Sequence, residues 1–519
     1  MSTAGRLISG SAAAWSRIII TVISQVVLVP IYLTYWTPEM YGVWIAVQSL
    51  VIMLTLLDLG HHTYVGFELF RFARHDMVKF CKYLWSALLV GLLVAVFELL
   101  VIQLLVRLAV LPFLVGESES MDGELASQAG NVLMLAGVNW VATSAISGFF
   151  VRALEAFGHH ARLAWWGVFH LIIANTLPAV AVVMGADLLG AGIVMTLGAI
   201  VCYIPIYYDM FRLLKRERIA FIKPSWKLGF NNFLRSTGVS GKLILENLRQ
   251  QGVRLVLAPI SGAVALAAFS TMRTGANVAL QGLSSITSPL MPDLMRFLHQ
   301  RDQIRSEAGF ATIWVVVAGL ISPAVIVVQA LAPPLFELWT KNRIVFDPLL
   351  FSTLSLSVLI YAVAQPAIAV VVGNNLMRPQ LILSGLSAAI VVLLVVILVP
   401  IFGLVGAGLA LVVSESVAAV GFVYTAKSWL EKNGLTWPLN SFSKAATSVL
   451  IAAISMVSIA LLPQFTVVIC GVGVVLCVGN FYIYWKTLPS EVRHRFRQII
   501  HSTMLQVRGI ASGLLGRKR

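Results

Sequence analysis

Apolar runs long enough to cross a lipid bilayer recur from end to end of this 519-residue chain. About 20 apolar residues in a helix span the ~30 Å hydrocarbon core. The chain is 59% hydrophobic and 11% charged, with a mean hydropathy of +0.90, so it lacks the polar skin of a soluble globule. The sequence therefore predicts an all-α polytopic membrane protein with about 14 transmembrane helices. The runs cover 11–36, 41–66, 83–108, 129–151, 163–186, 190–211, 236–258, 262–285, 310–332, 348–370, 379–400, 404–425, 444–463 and 465–486.

Charge sets the expected orientation. With both termini inside, the inner loops and tails carry most of the 37 Lys and Arg, whereas the outer loops carry only Lys341 and Arg343. That bias is the positive-inside pattern and predicts cytoplasmic N- and C-termini. The formal charge of +15 then faces anionic lipid heads and needs no nucleic-acid partner. The N-terminal stretch runs into a full-length apolar segment, unlike a cleaved signal peptide. The largest outer loop, with Glu117, Glu119, Asp122 and Glu124, reads as a solvated acidic loop. Cys81, Cys202, Cys470 and Cys477 form no CxxC pair and read as packing residues, with no metal site implied.

An internal repeat is visible. "LLGAGIVM" from Leu188 and "LVGAGLAL" from Leu404 are 216 residues apart, and Gly42 and Gly262, each at a span start, are 220 apart. These offsets predict two six-helix lobes, 1–215 and 216–430, an extra helix pair at 431–486 and a basic cytoplasmic tail at 487–519. Parallel repeats of this kind place a site at the lobe interface, and alternating access follows when the lobes rock.

Charges inside the spans are the candidate functional groups, because each costs at least ~2.5–3.5 kcal/mol at the bilayer centre. In span seven, Lys242, Glu246 and Arg249 fall on one stripe with Arg235, at a spacing that allows ion pairing. Arg254 points elsewhere, nearer the outer end. Arg17, Thr21 and Ser24 share a face of span one; Arg273, Asn277, Ser284 and Ser288 share one of span eight. Together Arg17, Lys242, Arg249, Arg254 and Arg273 describe a cationic cavity suited to an anionic, phosphate-bearing substrate. The competing reading pairs these cations with Glu98, Glu246 or Glu415 to lock helices together. Asp58, Glu98, Glu246 and Glu415 are the candidate coupling or structural acids, able to carry H+ or Na+. For Asp58 a helix-end role is the stronger expectation, and its neighbours His61 and His62 are expected at the interface. His170 and Asn175 read as helix-contact groups. No H-E-x-x-H, paired-Asp metal motif or Gly-rich phosphate loop supports an enzyme, and no resident cofactor is expected.

Several segments resemble the polysaccharide (O-antigen type) flippases of the multidrug/oligosaccharidyl-lipid/polysaccharide exporter superfamily. They are "YGVWIAVQSLVIMLTLLDLGHH", "SPLMPDLMRFLHQRDQIR", "LFELWTKNRIVFDP" and "VPIFGLVGAGLALVVSE". The resemblance implies two six-helix lobes around a central cavity plus two C-terminal helices. It implies movement of an undecaprenyl-pyrophosphate-linked oligosaccharide to the outer leaflet of the bacterial inner membrane. Membrane lipids, the polysaccharide polymerase and the chain-length machinery are then its partners. Related lipid II flippases place arginines from spans one, two and eight against the pyrophosphate; Arg17 and Arg273 match spans one and eight. Span two departs from that pattern, with Gln48 and Asp58 but no arginine. A second departure is Val253, where many polysaccharide flippases carry an acid before the arginine matched by Arg254. Two alternatives stay open: an ion-coupled exporter of drugs or metabolites in the same superfamily, and a non-transporting subunit of an envelope polysaccharide assembly.

Overall fold

The computed structural model describes residues 3–73, 75–108, 113–114, 123–488 and 493, and among these every regular element is helical. Glu117, Glu119, Asp122 and the tail basic residues from Arg495 onward lie outside the described residues. The helices are α1 (Thr3–Tyr35), α2 (Pro38–Leu54), α3 (Leu56–Phe72), α4 (Met77–Arg107), α5 (Gly123–Trp140), α6 (Ser147–Glu155), α7 (His160–Val183) and α8 (Leu188–Arg216). They continue as α9 (Trp226–His299), α10 (Gln303–Val316), α11 (Ser322–Thr340), α12 (Pro348–Gly373), α13 (Met377–Phe402), α14 (Leu404–Lys432), α15 (Leu439–Leu461) and α16 (Thr466–Thr487).

Thirteen stretches of the described residues are long and apolar enough to cross a membrane. One of them, Trp226–Ser284, is 59 residues long. As a straight helix it would measure about 88 Å, nearly three hydrocarbon cores. It is not straight: Gly262 has φ 84° and ψ 170°, a conformation that glycine alone adopts readily. Arg254 and Ser270, which would be about 24 Å apart on a straight helix, line the same pocket. The segment therefore folds back at Gly262 as two antiparallel arms, which makes fourteen crossings. The charged stretch from Lys242 to Pro259 lies in the first arm, as the charge pattern predicted.

Three crossings depart from the regular helices that hydropathy predicts. The second, Pro38–Phe72, breaks at Thr55, whose Oγ1 donates back to the Ile52 carbonyl at 3.0 Å. Such back-bonding competes with the helix ladder and bends it. The fourth, Gly123–Glu155, carries a π-helical turn at Val141–Ala145, and the ninth, Gln303–Thr340, carries one at Val317–Ile321. A π turn releases backbone carbonyls from the ladder. In the fourth crossing these are claimed by side chains: the Tyr207 hydroxyl donates to Ala142 O at 2.7 Å, and His62 Nε2 donates to Ala145 O at 3.0 Å.

The chain divides into two compact units. The first comprises Met1–Val278, Pro333–Leu354 and Gln380–Ser414. The second comprises Ala279–Ala332, Ser355–Pro379 and Glu415–Arg519. The second unit packs around Trp314, fully buried, which donates to Val363 O at 2.9 Å and meets the Trp437 ring edge-on at 5.5 Å.

In the first unit, close helix contacts are made by the glycines of the sequence repeat. A Cβ on Gly192 would lie 2.9 Å from the Val132 side chain, and one on Gly408 would overlap Thr353. In each copy the helix packs on the crossing two places before it. A Cβ on Gly42 would overlap the carbonyl oxygen of Ala263, beside the Gly262 turn. Gly42→Val is therefore expected to cost about 1–3 kcal/mol or more, because neither backbone can give way. Thermal unfolding of the purified protein checks this against Gly167→Val, where an added Cβ meets nothing within 4 Å. Equal midpoints for the two variants would contradict the contact.

Candidate functional site

A cavity of about 370 Å³ opens in the first unit between α1, α2, α7 and the two arms of α9. Helix α1 turns its polar face to it at Thr21, Ser24 and Gln25, and α2 does so at Gln48 and Ser49. Asn175 of α7 and Ser270 and Thr274 of α9 add further polar groups. Its one charged wall residue is Arg254. Tyr32, Tyr41 and Trp44 form an aromatic end. Tyr32 stacks on Tyr41 with centroids 5.8 Å apart, and Trp36 meets Trp44 edge-on at 5.8 Å. The Trp36 indole donates to Ala186 O at 2.9 Å and fixes the α1–α2 corner.

Arg254 is half-buried, and its Nε is buried without a hydrogen bond. Its electrostatic neighbour is the Tyr41 phenol rather than a carboxylate, and among the described residues it forms no ion pair. Elsewhere in the same unit an arginine is handled differently. Arg162 forks onto Asp209, with Nε to Oδ2 at 2.8 Å, and the Trp166 indole donates to the same carboxylate at 2.8 Å. The fold thus pairs one arginine tightly and leaves Arg254 facing a polar pocket.

The other predicted cations are dispersed. Arg17 is exposed, one turn before Thr21, whose hydroxyl donates to the Arg17 carbonyl at 2.8 Å; its charge reaches His170. Lys242 and Glu246 are half-buried, and among the described residues neither is in an ion pair. Arg249 is 4% exposed, five residues before Arg254. Arg273 is half-buried, next to Thr274, with its guanidinium 5.8 Å from the Phe269 ring centroid. Of the predicted cations only Arg254 lines the cavity. The wheel set it apart from the Lys242 stripe, and the cavity is on Arg254's side.

The predicted acids form a separate feature. Asp58 is fully buried in the first turn of α3, at the helix start created by the break at Thr55. Glu98 of α4, 6% exposed, lies against the Asp58 backbone. His61 and His62, expected at the interface, are 0% and 3% exposed. The break at Thr55 turns this stretch into the helix set. His61 sits edge-on to Phe149 and Phe233 at 5.5 and 5.6 Å, and His62 to Phe149 at 4.3 Å. Glu415 is buried at 8% in the second unit.

Solved structures identify the architecture. The lipid II flippase MurJ in an inward closed conformation superposes with a TM-score of 0.66, covering 93% of this chain and 99% of its own at 13% identity. A multidrug resistance MATE transporter of the MOP superfamily in its inward-facing conformation gives 0.58, with 80% and 95% covered at 15% identity. The chain has the fold of these transporters. A MOP-superfamily transporter from Pyrococcus furiosus, described as having a binding pocket of reverse polarity, gives 0.51 at 16% identity, with 80% and 93% covered. No protein-family model and no curated protein matches the sequence.

Sequence reasoning missed the aromatic end of the cavity, although Tyr32 and Trp36 at i, i+4 and Tyr41 and Trp44 at i, i+3 flank one tight corner. The difference between the two arginines is measurable. Arg254→Met removes a charge that has no countercharge and is expected to leave stability unchanged or slightly raised. Arg162→Met strands Asp209 and is expected to cost about 1–3 kcal/mol, between the values for exposed and buried pairs. Unfolding midpoints of the two variants in the same detergent decide it.

Proposed function

We propose that the protein is a flippase that moves an undecaprenyl-pyrophosphate-linked oligosaccharide from the cytoplasmic to the periplasmic leaflet of a bacterial inner membrane. The observation that carries this reading is Arg254: a half-buried guanidinium with no carboxylate partner among the described residues, facing a cavity of hydroxyls and amides. A guanidinium of that kind binds phosphate oxygens through its fork. The neutral donors Ser24, Gln25, Gln48, Asn175 and Ser270 suit pyrophosphate and sugar hydroxyls. The aromatic end at Tyr32, Tyr41 and Trp44 suits the apolar face of a sugar ring. At about 370 Å³ the cavity holds the pyrophosphate and the first sugar rather than a whole repeat unit. The likeness to a lipid II flippase over 93% of the chain supports the same direction.

In this reading two parallel six-helix halves rock about the site, the basic rim faces the cytoplasm, and the polymerase and chain-length machinery act on the product. H+ or Na+ carried by buried acids supplies the driving force. An exporter of drugs or metabolites is the second reading. The likeness to MATE transporters favours it, and so does a cavity within the ~300–1,000 Å³ range of small-molecule pockets. The wall charge weighs against cationic drugs.

The deciding experiment reconstitutes the protein in liposomes with a fluorescent polyprenyl-pyrophosphate glycan and follows leaflet exchange. Arg254→Ala is expected to slow exchange by about 10- to 100-fold, the worth of a charge-assisted contact of ~1.5–3 kcal/mol. Arg17→Ala, Arg249→Ala and Arg273→Ala are expected to slow it less. Exchange at the wild-type rate in all four variants would rule out the cationic pocket. Raised susceptibility to cationic drugs on deleting the gene, with no defect in surface polysaccharide, would favour the second reading.

A further inference from the structure

Asp58 and Glu98 bring two carboxylates into the middle of the first unit, and all four of their oxygens are buried without a hydrogen bond. The Glu98 charge acts on Asp58, and the Asp58 backbone lies against the Glu98 carboxyl at the start of α3. Among the described residues, the only basic side chain within 4.0 Å of either is His62, whose Nε2 is 3.3 Å from Asp58 Oδ1. That same Nε2 carries the hydrogen given to Ala145 O. Its charge is also opposed by Arg152 of α6, which faces it. His61, fully buried, has neither ring nitrogen in a hydrogen bond, and Trp140 of α5 turns an unbonded indole N–H toward Asp58. From the first arm of α9 the residues packed here are Phe233 and Ser240, both uncharged.

Two ionised carboxylates offer only acceptors, and close together in an apolar interior they cannot both keep their charge. One proton changes the chemistry. It turns one carboxylate into a donor, removes one charge, and gives the second carboxylate or His61 a hydrogen to accept. Among the described residues no three His, Cys, Asp or Glu side chains are arranged as metal ligands.

The geometry points to a proton-binding site formed by Asp58 and Glu98, with His61 and Trp140 around it. The bound species is H+ taken from water on one side of the membrane and returned to water on the other. Only an O–H bond forms and breaks, as one carboxylate becomes a carboxylic acid. The site is wired to span seven. The Ser240 hydroxyl donates to the carbonyl of Leu57, next to Asp58, at 3.0 Å, and Gly60 packs directly on Ser240. Two residues further along that arm lies Lys242, and Arg254 follows three turns later. Proton binding at the start of α3 therefore bears on the arm that carries the pocket arginine. This last link rests on the transport reading above; the binding of the proton does not.

Infrared difference spectra of the purified protein, with hydrogen–deuterium shifts, report a buried carboxylic acid without any substrate. The wild type is expected to show its C=O band near neutral pH, and Asp58→Asn or Glu98→Gln to remove it. If Asp58→Asn does not fold, Glu98→Gln and wild-type protein labelled with 13C at Asp or at Glu supply the assignment. No band in the wild type, or a full band in both variants, would overturn the site. Loss of the band on exchanging K+ for Na+ would overturn the proton as its ligand. In liposomes, an imposed pH gradient is expected to speed glycan exchange about tenfold in the wild type and not in Glu98→Gln. Exchange indifferent to the gradient would sink the coupling, whereas a wild type that shows the band yet moves no glycan would sink only the transport reading.

Discussion

Inside a bilayer there is no water to satisfy a polar group, and the fold is organised by how it meets that condition. The backbone meets it through helices, and two of the irregular places have visible compensating partners. The π turn at Val141–Ala145 frees carbonyls that Tyr207 and His62 take up. The corner after α1 is held by the Trp36 indole on Ala186 O. Side-chain charges divide under the same condition. Asp209 accepts from both Arg162 and Trp166, so burial of that carboxylate is fully compensated. Among the described residues, Arg254 and Glu98 are in no ion pair, and the only basic group near Asp58 is His62.

Most of the architecture was legible because hydropathy and span length are direct readings of the bilayer constraint. The charge balance predicted that the segment from Lys242 to Pro259 crosses, and it is helical, within the first arm of α9. The breaks were not legible. A helix that bends at Thr55 or widens at Val141 keeps the same apolar side chains, so hydropathy does not change while the direction of every later side chain does. That is why His61 and His62, polar and adjacent to an acid, read as interfacial residues and instead pack among Phe149 and Phe233. The pocket is a similar case. A helical wheel gives the angle of Arg254 relative to Lys242, but not which neighbours stand opposite. Those neighbours come from α1, α2 and α7, far away in sequence.

The repeat also gains a physical meaning. Gly192 and Gly408 do the same work in the two copies, each letting a helix approach the crossing two before it. Gly42 and Gly262, matched at an offset of 220 rather than 216, lie where the start of α2 meets the turn between the arms of α9. Small residues are needed at such a place, since both backbones approach at once.

Span two joins the two polar features of the first unit. Gln48 and Ser49 line the pocket before the break at Thr55, and Asp58 opens α3 after it. From Ser49 to Asp58 is nine residues, about 13 Å of helix. The break lies between them at Thr55, with φ −83° and ψ −2°, whose own N–H and C=O still bond Val51 and Leu59. A continuous helix would transmit any shift of Asp58 rigidly to Gln48. The pocket-bearing half is clamped by Gly42 against Ala263. The unclamped half is the one in contact with Ser240. In the proton-binding proposal, a change of charge at Asp58 reaches the pocket through the arm that holds Arg254.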